Sequence, residues 1–298
     1  MTNRVTLDSP APAMPIEARR RILSFLEKLT PFSPVVRRLL STISQDEDKV
    51  SLPAVGALVE QDTLIAGRVL GIANSAMYSR GHDICSVRQA VIRLGINRLR
   101  NLVLAISVNR IWGSTHMPDG FSMLRFNQHA LATGIAADLF CERVAPHFVE
   151  HAFIAGLFHD IGQLILINMH PLQYATLLEG VHLEGTNLEN CEQSLFGFTH
   201  SEASAEAIAY WHLPEEIQTA VRFHERPEGD ETLAEDSSPR LSDLIHAADM
   251  YADAAGYSLI ESQLPDDALQ SALAPLGLED ESISPFFRNQ LSILRSVA

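Results

Sequence analysis

The chain has 298 residues, of which 46% are hydrophobic and 20% charged, enough apolar side chain for a sizeable core and too little net polarity for a disordered chain. Its formal net charge of -15 opposes binding to phosphate backbones or anionic lipid, and no basic recognition helix stands out, so DNA binding is not expected. Cys85, Cys141 and Cys191 lack C-x-x-C spacing, which argues against a disulfide framework and a thiolate zinc site and suits a reducing, cytoplasmic setting.

In chain order, residues 1–15 are rich in Pro and Ala and read as a disordered lead-in. The basic clusters Arg19-Arg20-Arg21 and Arg37-Arg38 read as solvated helix faces. Asp62 is placed to cap a helix carrying Leu64, Ile65, Val69, Leu70 and Ile72 at helical spacing, and Asn74-Ser75 begin its exit. Ser86 opens a second helix that stops at Gly95, and a longer one over about 97–112 is apolar on most of its circumference, which predicts deep burial. Helices follow over about 121–143 and 150–158. Thr199 with Glu202 fits a capping box, and Pro214 fits the first turn of PEEIQTAVRFH. The polar stretch 226–239 reads as a loop before RLSDLIHAADMYADAAG, and the last forty residues as a helical extension. Alternating strand patterns are scarce, so the expected class is all-α.

The segment AFIAGLFHDIGQLILINM is the most apolar in the chain, yet His159 and Asp160 interrupt it. A membrane span would place that carboxylate in lipid, so a core segment is expected and no membrane. A buried His-Asp pair is costly unless hydrogen-bonded, paired or metal-bound. Asp160 capping the next helix and His159 bonding to backbone would satisfy it; so would a divalent ion, for which imidazole and carboxylate are ordinary ligands. His129, His200, His224 and Asp249 stand on other predicted helices where they could join one site, although eight further histidines have equal claims by residue type.

The order His129, His159-Asp160, His200, His224, Asp249 resembles the H...HD...H...H...D series of the HD superfamily, which includes metal-dependent phosphohydrolases and cyclic-dinucleotide phosphodiesterases. The first half narrows the resemblance: PFSPVVRRLL, QDTLIAGRVLGIANSA and SVRQAVIRLG, continued by GLFHDIG, FGFTHSEASAEAI and WHLPEEI, resemble the HDOD (HD-related output domain) family over roughly 16–250. This implies a compact multi-helix domain over 16–255, with a first helical half (16–115), an HD-like half (116–255) and a C-terminal extension (256–298). It implies a cytoplasmic signalling or regulatory module, largely non-catalytic, with a kinase, response regulator or cyclic-nucleotide enzyme as partner and a nucleotide as candidate ligand. One or two divalent ions (Fe, Mn, Zn or Ni) would be held by His129, His159, Asp160, His200, His224 and Asp249. The alternative it carries is a metal-dependent phosphohydrolase or cyclic-dinucleotide phosphodiesterase. Active members commonly place lysine where Gln163 stands and a second histidine where Glu225 follows His224, which weighs against hydrolysis.

Overall fold

The computed structural model describes residues 14–29, 36, 38, 52–75, 84–112, 117–184, 187–232, 238–259 and 265–295. Among them every regular element is helical. Most of PFSPVVRRLL and of the lead-in lies outside the described residues.

In the first half, α1 (Ile16–Leu26) is followed by α2 (Leu52–Val59), α3 (Thr63–Ala73), α4 (Val87–Leu94) and α5 (Ile96–Trp112). The caps read from sequence operate. The Asp62 carboxylate accepts from the Leu64 and Ile65 amides, and the Ser86 hydroxyl accepts from the Gln89 amide. Asn74 does more than end α3: its side chain donates to the Ile84 carbonyl at 2.8 Å and accepts from the Ile84 amide at 2.9 Å. The residue that closes α3 thus fastens the strand of chain entering α4. Leu99 to Ile106 of α5 are buried, as its nearly all-round apolar pattern predicts.

The second half is built on α6 (Met123–Val144), whose middle is buried on all faces and which packs against α7 (Ala152–Phe158), α13 (Leu241–Ala252) and α15 (Asp280–Arg295). Between them run α8 (Ile161–Met169), α9 (Pro171–Glu184), α10 (Leu188–Phe196), α11 (His200–Tyr210) and α12 (Glu215–Arg222), and α14 (Ala268–Leu273) precedes α15. The α6–α7 contact is close because glycines meet there: a Cβ on Gly156 would lie 2.8 Å from the Gly134 Cα. The Thr199–Glu202 capping box is complete in both directions. Pro214 departs from expectation by one position. Its backbone is extended (φ -49°, ψ 148°), so it stands at the N-cap and Glu215 is the first helical residue. In the stretch read as loop, Pro227–Gly229 form a short 3-10 turn.

The segment Ala152–Met169 is long and apolar enough by composition to cross a membrane, but 89% of it is buried inside the protein, where α7 and α8 pack on α6 and α11. His159 and Asp160 form the turn that divides it.

A candidate metal centre

Six side chains from five places in the chain converge. His129 lies in the second turn of α6, and His159-Asp160 join α7 to α8. His200 is the first residue of α11, His224 follows the end of α12, and Asp249 stands on α13. His159, His200 and His224 are fully buried and His129 is nearly so.

The four imidazoles share one orientation. Each Nδ1 faces an oxygen acceptor: the Tyr257 carbonyl at 3.0 Å for His129, the Gly156 carbonyl at 2.7 Å for His159, a Glu192 carboxylate oxygen at 2.7 Å for His200, and the Val221 carbonyl at 2.7 Å for His224. Carbonyl and carboxylate oxygens only accept, so each Nδ1 carries the proton and donates. Every Nε2 is thereby turned inward. The same arrangement orients imidazoles toward metal ions in general.

The inward atoms cluster around two carboxylates. His129 Nε2 lies 2.9 Å from Asp249 Oδ1, 3.7 Å from Asp160 Oδ2 and 3.2 Å from His159 Nε2. His159 Nε2 lies 3.5 Å from Asp160 Oδ2 and 3.5 Å from Asp249 Oδ1. The second oxygen of Asp160 faces the other pair, 3.2 Å from His200 Nε2 and 3.7 Å from His224 Nε2. Asp160 therefore presents one oxygen to each of two ligand sets, His129-His159-Asp249 and His200-His224. The donor atoms of His129-His159-Asp160 and of Asp160-His200-His224 each fall within 4.8 Å of one another.

A ring nitrogen whose partner nitrogen is already donating takes a second proton, accepts a hydrogen bond or offers its lone pair to a cation. Burial disfavours the imidazolium of His129, but the hydrogen bond and charge of Asp249, with Asp160 and Asp253, prevail and push its pKa up to about 9. His200 and His224 are raised against their burial as well, His200 by Glu192 and Asp160, His224 by Asp160 and Glu225. Asp160 is held well below the carboxylate range: burial works against ionisation, and His159, His200 and His224 outweigh it. The Nε2 atoms of His200 and His224 are buried and make no hydrogen bond of acceptable geometry, though each has Asp160 within ion-pair distance. Two buried, unsatisfied nitrogens of borderline softness beside a shared carboxylate fit a divalent ion of the Fe, Mn, Zn or Ni type.

Both local ways of satisfying His159-Asp160 can be checked. His159 does bond to backbone. Asp160 stands at the N-cap of α8 but makes no capping bond, its carboxylate being turned to the imidazoles instead.

Glu192 and Asp253 carry no sequence signal, and Gly162 stands only as the end of GLFHDIG. Glu192, fully buried on α10, accepts from the His200 amide, the His200 ring and the Tyr174 hydroxyl. Nothing in LENCEQSLF marks it, because its role depends on α10 meeting the start of α11. Asp253 opens a π-helical turn, Asp253–Tyr257, that follows α13 and supplies the Tyr257 carbonyl to His129. Burial and the charge of Asp249 push its carboxyl up to about 7. Gly162, two residues after Asp160, donates its amide to Ser204, and a Cβ there would run into the His200 carbonyl. Among the described residues no other histidine joins these groups, although His246 Nδ1 donates to the His224 carbonyl. His82 and His116 lie outside the described residues.

Crystal structures of similar shape include an HDOD domain protein of unknown function from Geobacter sulfurreducens (TM-score 0.74, 21% identity, 94% of this chain and 96% of that one). Another is a candidate phosphohydrolase from Shewanella amazonensis SB2B (TM-score 0.71, 22% identity, 93% and 98%). A third is a candidate signal transduction protein from Marinobacter aquaeolei VT8 (TM-score 0.71, 20% identity, 96% and 62%). At these identities the likeness is one of fold. An uncharacterized protein of Treponema pallidum (strain Nichols) is 26% identical over 176 residues, which are 59% of this chain and only 34% of that protein's length. The family description "HDOD domain" matches residues 29–227, a span that holds His129, His159, Asp160, His200 and His224 and ends before Asp249. With the matching span covering most of the chain and an all-helical structure around it, the chain belongs to the HDOD domain family.

Proposed function

We propose that this chain is a cytoplasmic regulatory signalling module whose HD centre holds one or two divalent metal ions, with a largely non-catalytic role. The observation that carries the metal is the inward set of four Nε2 atoms, two of them buried without a hydrogen bond, around an Asp160 that faces both ligand sets. His129, His159, Asp160 and Asp249 would hold one ion; Asp160, His200 and His224 would hold the other. A bound divalent ion supplies Lewis acidity and lowers the pKa of a coordinated water. The protein's own part is to fix four neutral tautomers by their Nδ1 bonds and to bury the imidazole rings.

The regulatory reading is favoured by the charge at the centre's more exposed edge. Asp249 (19%), Glu225 (31%) and Asp253 (33%) are its more accessible side chains, and all are carboxylates. These carboxyls offset part of the positive charge that a bound ion would present to the anionic oxygens of a phosphoester. Arg226, the next residue after Glu225, is paired with Glu189 at 3.2 Å, and Gln163 is a buried neutral amide where a cation would assist. The hydrolase reading has one observation in its favour, the placement of Asp160 between two ligand sets, as paired-ion phosphoesterases require. In the regulatory reading the partner is a kinase, response regulator or cyclic-nucleotide enzyme, and a nucleotide is the candidate small ligand. The 16–255 span acts as the module, with 256–298 as its extension.

Metal content of untagged protein purified without chelator or nickel resin tests the first part, with stoichiometric Fe, Mn, Zn or Ni expected. Protein that stays metal-free after incubation with each ion would sink the reading. A panel of cyclic dinucleotides, nucleotides and a generic phosphodiester with added Mn or Fe tests the second. Turnover abolished by Asp160→Ala would replace the regulatory reading with the hydrolase one.

A further inference from the structure

Among the described residues four glutamates are buried, and three of them meet an arginine. Glu189 pairs with Arg226 at 3.2 Å, Glu206 with Arg19 at 2.7 Å and Glu202 with Arg222 at 3.7 Å. Glu192 is the exception. It is fully buried on α10, and among the described residues no lysine or arginine comes within ion-pair distance of it; its partner is His200.

Both oxygens of Glu192 are engaged. Oε1 accepts from the Tyr174 hydroxyl at 3.0 Å, and Oε2 accepts from the His200 amide and from His200 Nδ1, each at 2.7 Å. A carboxylate taken out of water among neutral donors is costly, so it calls for positive charge nearby. The place for that charge is the far side of the same ring, at His200 Nε2, which is buried and makes no hydrogen bond of acceptable geometry.

The two ligand sets differ in the carboxylates they face. His129 and His159 face two, Asp160 and Asp249. His200 and His224 share Asp160 alone in the interior. Glu225 Oε1 lies 3.8 Å from His200 Nε2 but is 31% exposed, so water screens it, and Glu192 has no such screening. The other three Nδ1 atoms donate to neutral backbone carbonyls, whereas a carboxylate in that place raises the basicity of the ligating imidazole.

We propose that Glu192 is the positioning carboxylate of the His200-His224-Asp160 set: acting through the His200 ring, it supplies the second negative charge this set lacks and raises its affinity for a divalent ion. The inference rests on the metal reading of the HD centre. Glutamine isolates the charge, because its carbonyl oxygen can accept from both His200 donors while its amino group donates to the Tyr174 hydroxyl.

The metal-free full chain is titrated at neutral pH with zinc by calorimetry and with cadmium followed by cadmium NMR. Wild type should give two cadmium resonances, and the one that His224→Ala removes belongs to this set. Glu192→Gln, checked by circular dichroism for an intact fold, should weaken zinc binding at that set about 10- to 100-fold and move its resonance while leaving the other in place. A glutamate that only ties α10 to α11 would leave both resonances and both affinities unchanged in the folded variant, and that result overturns the proposal. So does a wild type in which cadmium loads the His129-His159 set alone. A wild type that takes up no ion fails at the earlier step and overturns the metal reading itself, this inference with it. Should Glu192→Gln misfold, the zinc-loaded wild type decides. The His200 Nδ1 proton, identified by correlation through its ring, should resonate downfield of the other three ligand imidazole protons, as a charge-assisted bond requires, and a shift within their range overturns the proposal.

Discussion

Asp160 is shared by both candidate ligand sets, and its two oxygens face different imidazole pairs. Asp160→Asn should therefore remove metal from the whole centre, whereas His200→Ala should reduce it while sparing the His129-His159 side; metal analysis of the purified variants separates the two outcomes. The pH dependence follows from proton competition. Without metal, the imidazolium of His129 persists to about 9, so an ion must displace that proton to bind. Metal affinity should rise as pH increases from 6 toward 9, with proton release on binding detectable by calorimetry in buffers of different ionisation enthalpy. A flat profile would show that His129 is not displaced. Single residues were partly legible. Six residues in the right order could be named from the chain, but Glu192 could not: a glutamate in an amphipathic helix looks solvated until α10 is placed against α11. The same holds for Asp253, whose position depends on the π-helical turn after α13.

At the scale of elements, the caps were legible because they are local chemistry: Asp62, Ser86 and Thr199 with Glu202 satisfy amides two or three residues away. Asp62→Ala should cost about 1 kcal/mol in a denaturant melt. Helix crossings were not legible, since a glycine shows no sign of what comes close to it. Gly162 lets α8 lie against the backbone of His200 and donates to Ser204. Gly162→Ala should destabilise the fold by about 3 kcal/mol and lower metal content by displacing His200. A variant with wild-type Tm and full metal would contradict this account of the crossing. The one-residue offset at Pro214 has a similar origin. A proline's fixed φ suits both N-cap and first turn, and only its ψ decides between them.

For the whole molecule, the C-terminal helices bear on what counts as the folding unit. On α15, Ile283, Phe287 and Leu291 are buried, Phe287 packs edge-on against Tyr251 of α13, and the Tyr251 hydroxyl donates to Asp280 at 2.7 Å. Phe287→Ala should cost about 3 to 5 kcal/mol. Deleting 265–298 should uncover α6 and α13 and lower Tm by more than about 10 °C. An unchanged melting curve would mark the tail as a separate appendage. By itself the sequence determined the helical class, the capped helix starts at Asp62, Ser86 and Thr199 and the resemblance to HDOD proteins, because periodicity, capping and motif order are properties of neighbouring residues. It also determined which histidines and aspartates were worth watching. Only the tertiary structure decided that four imidazoles turn Nε2 inward and that Asp160 faces two imidazole pairs rather than capping α8. The four rings are brought together from elements far apart in the chain, and His129 is oriented by the distant Tyr257 carbonyl, so no local pattern encodes where they meet.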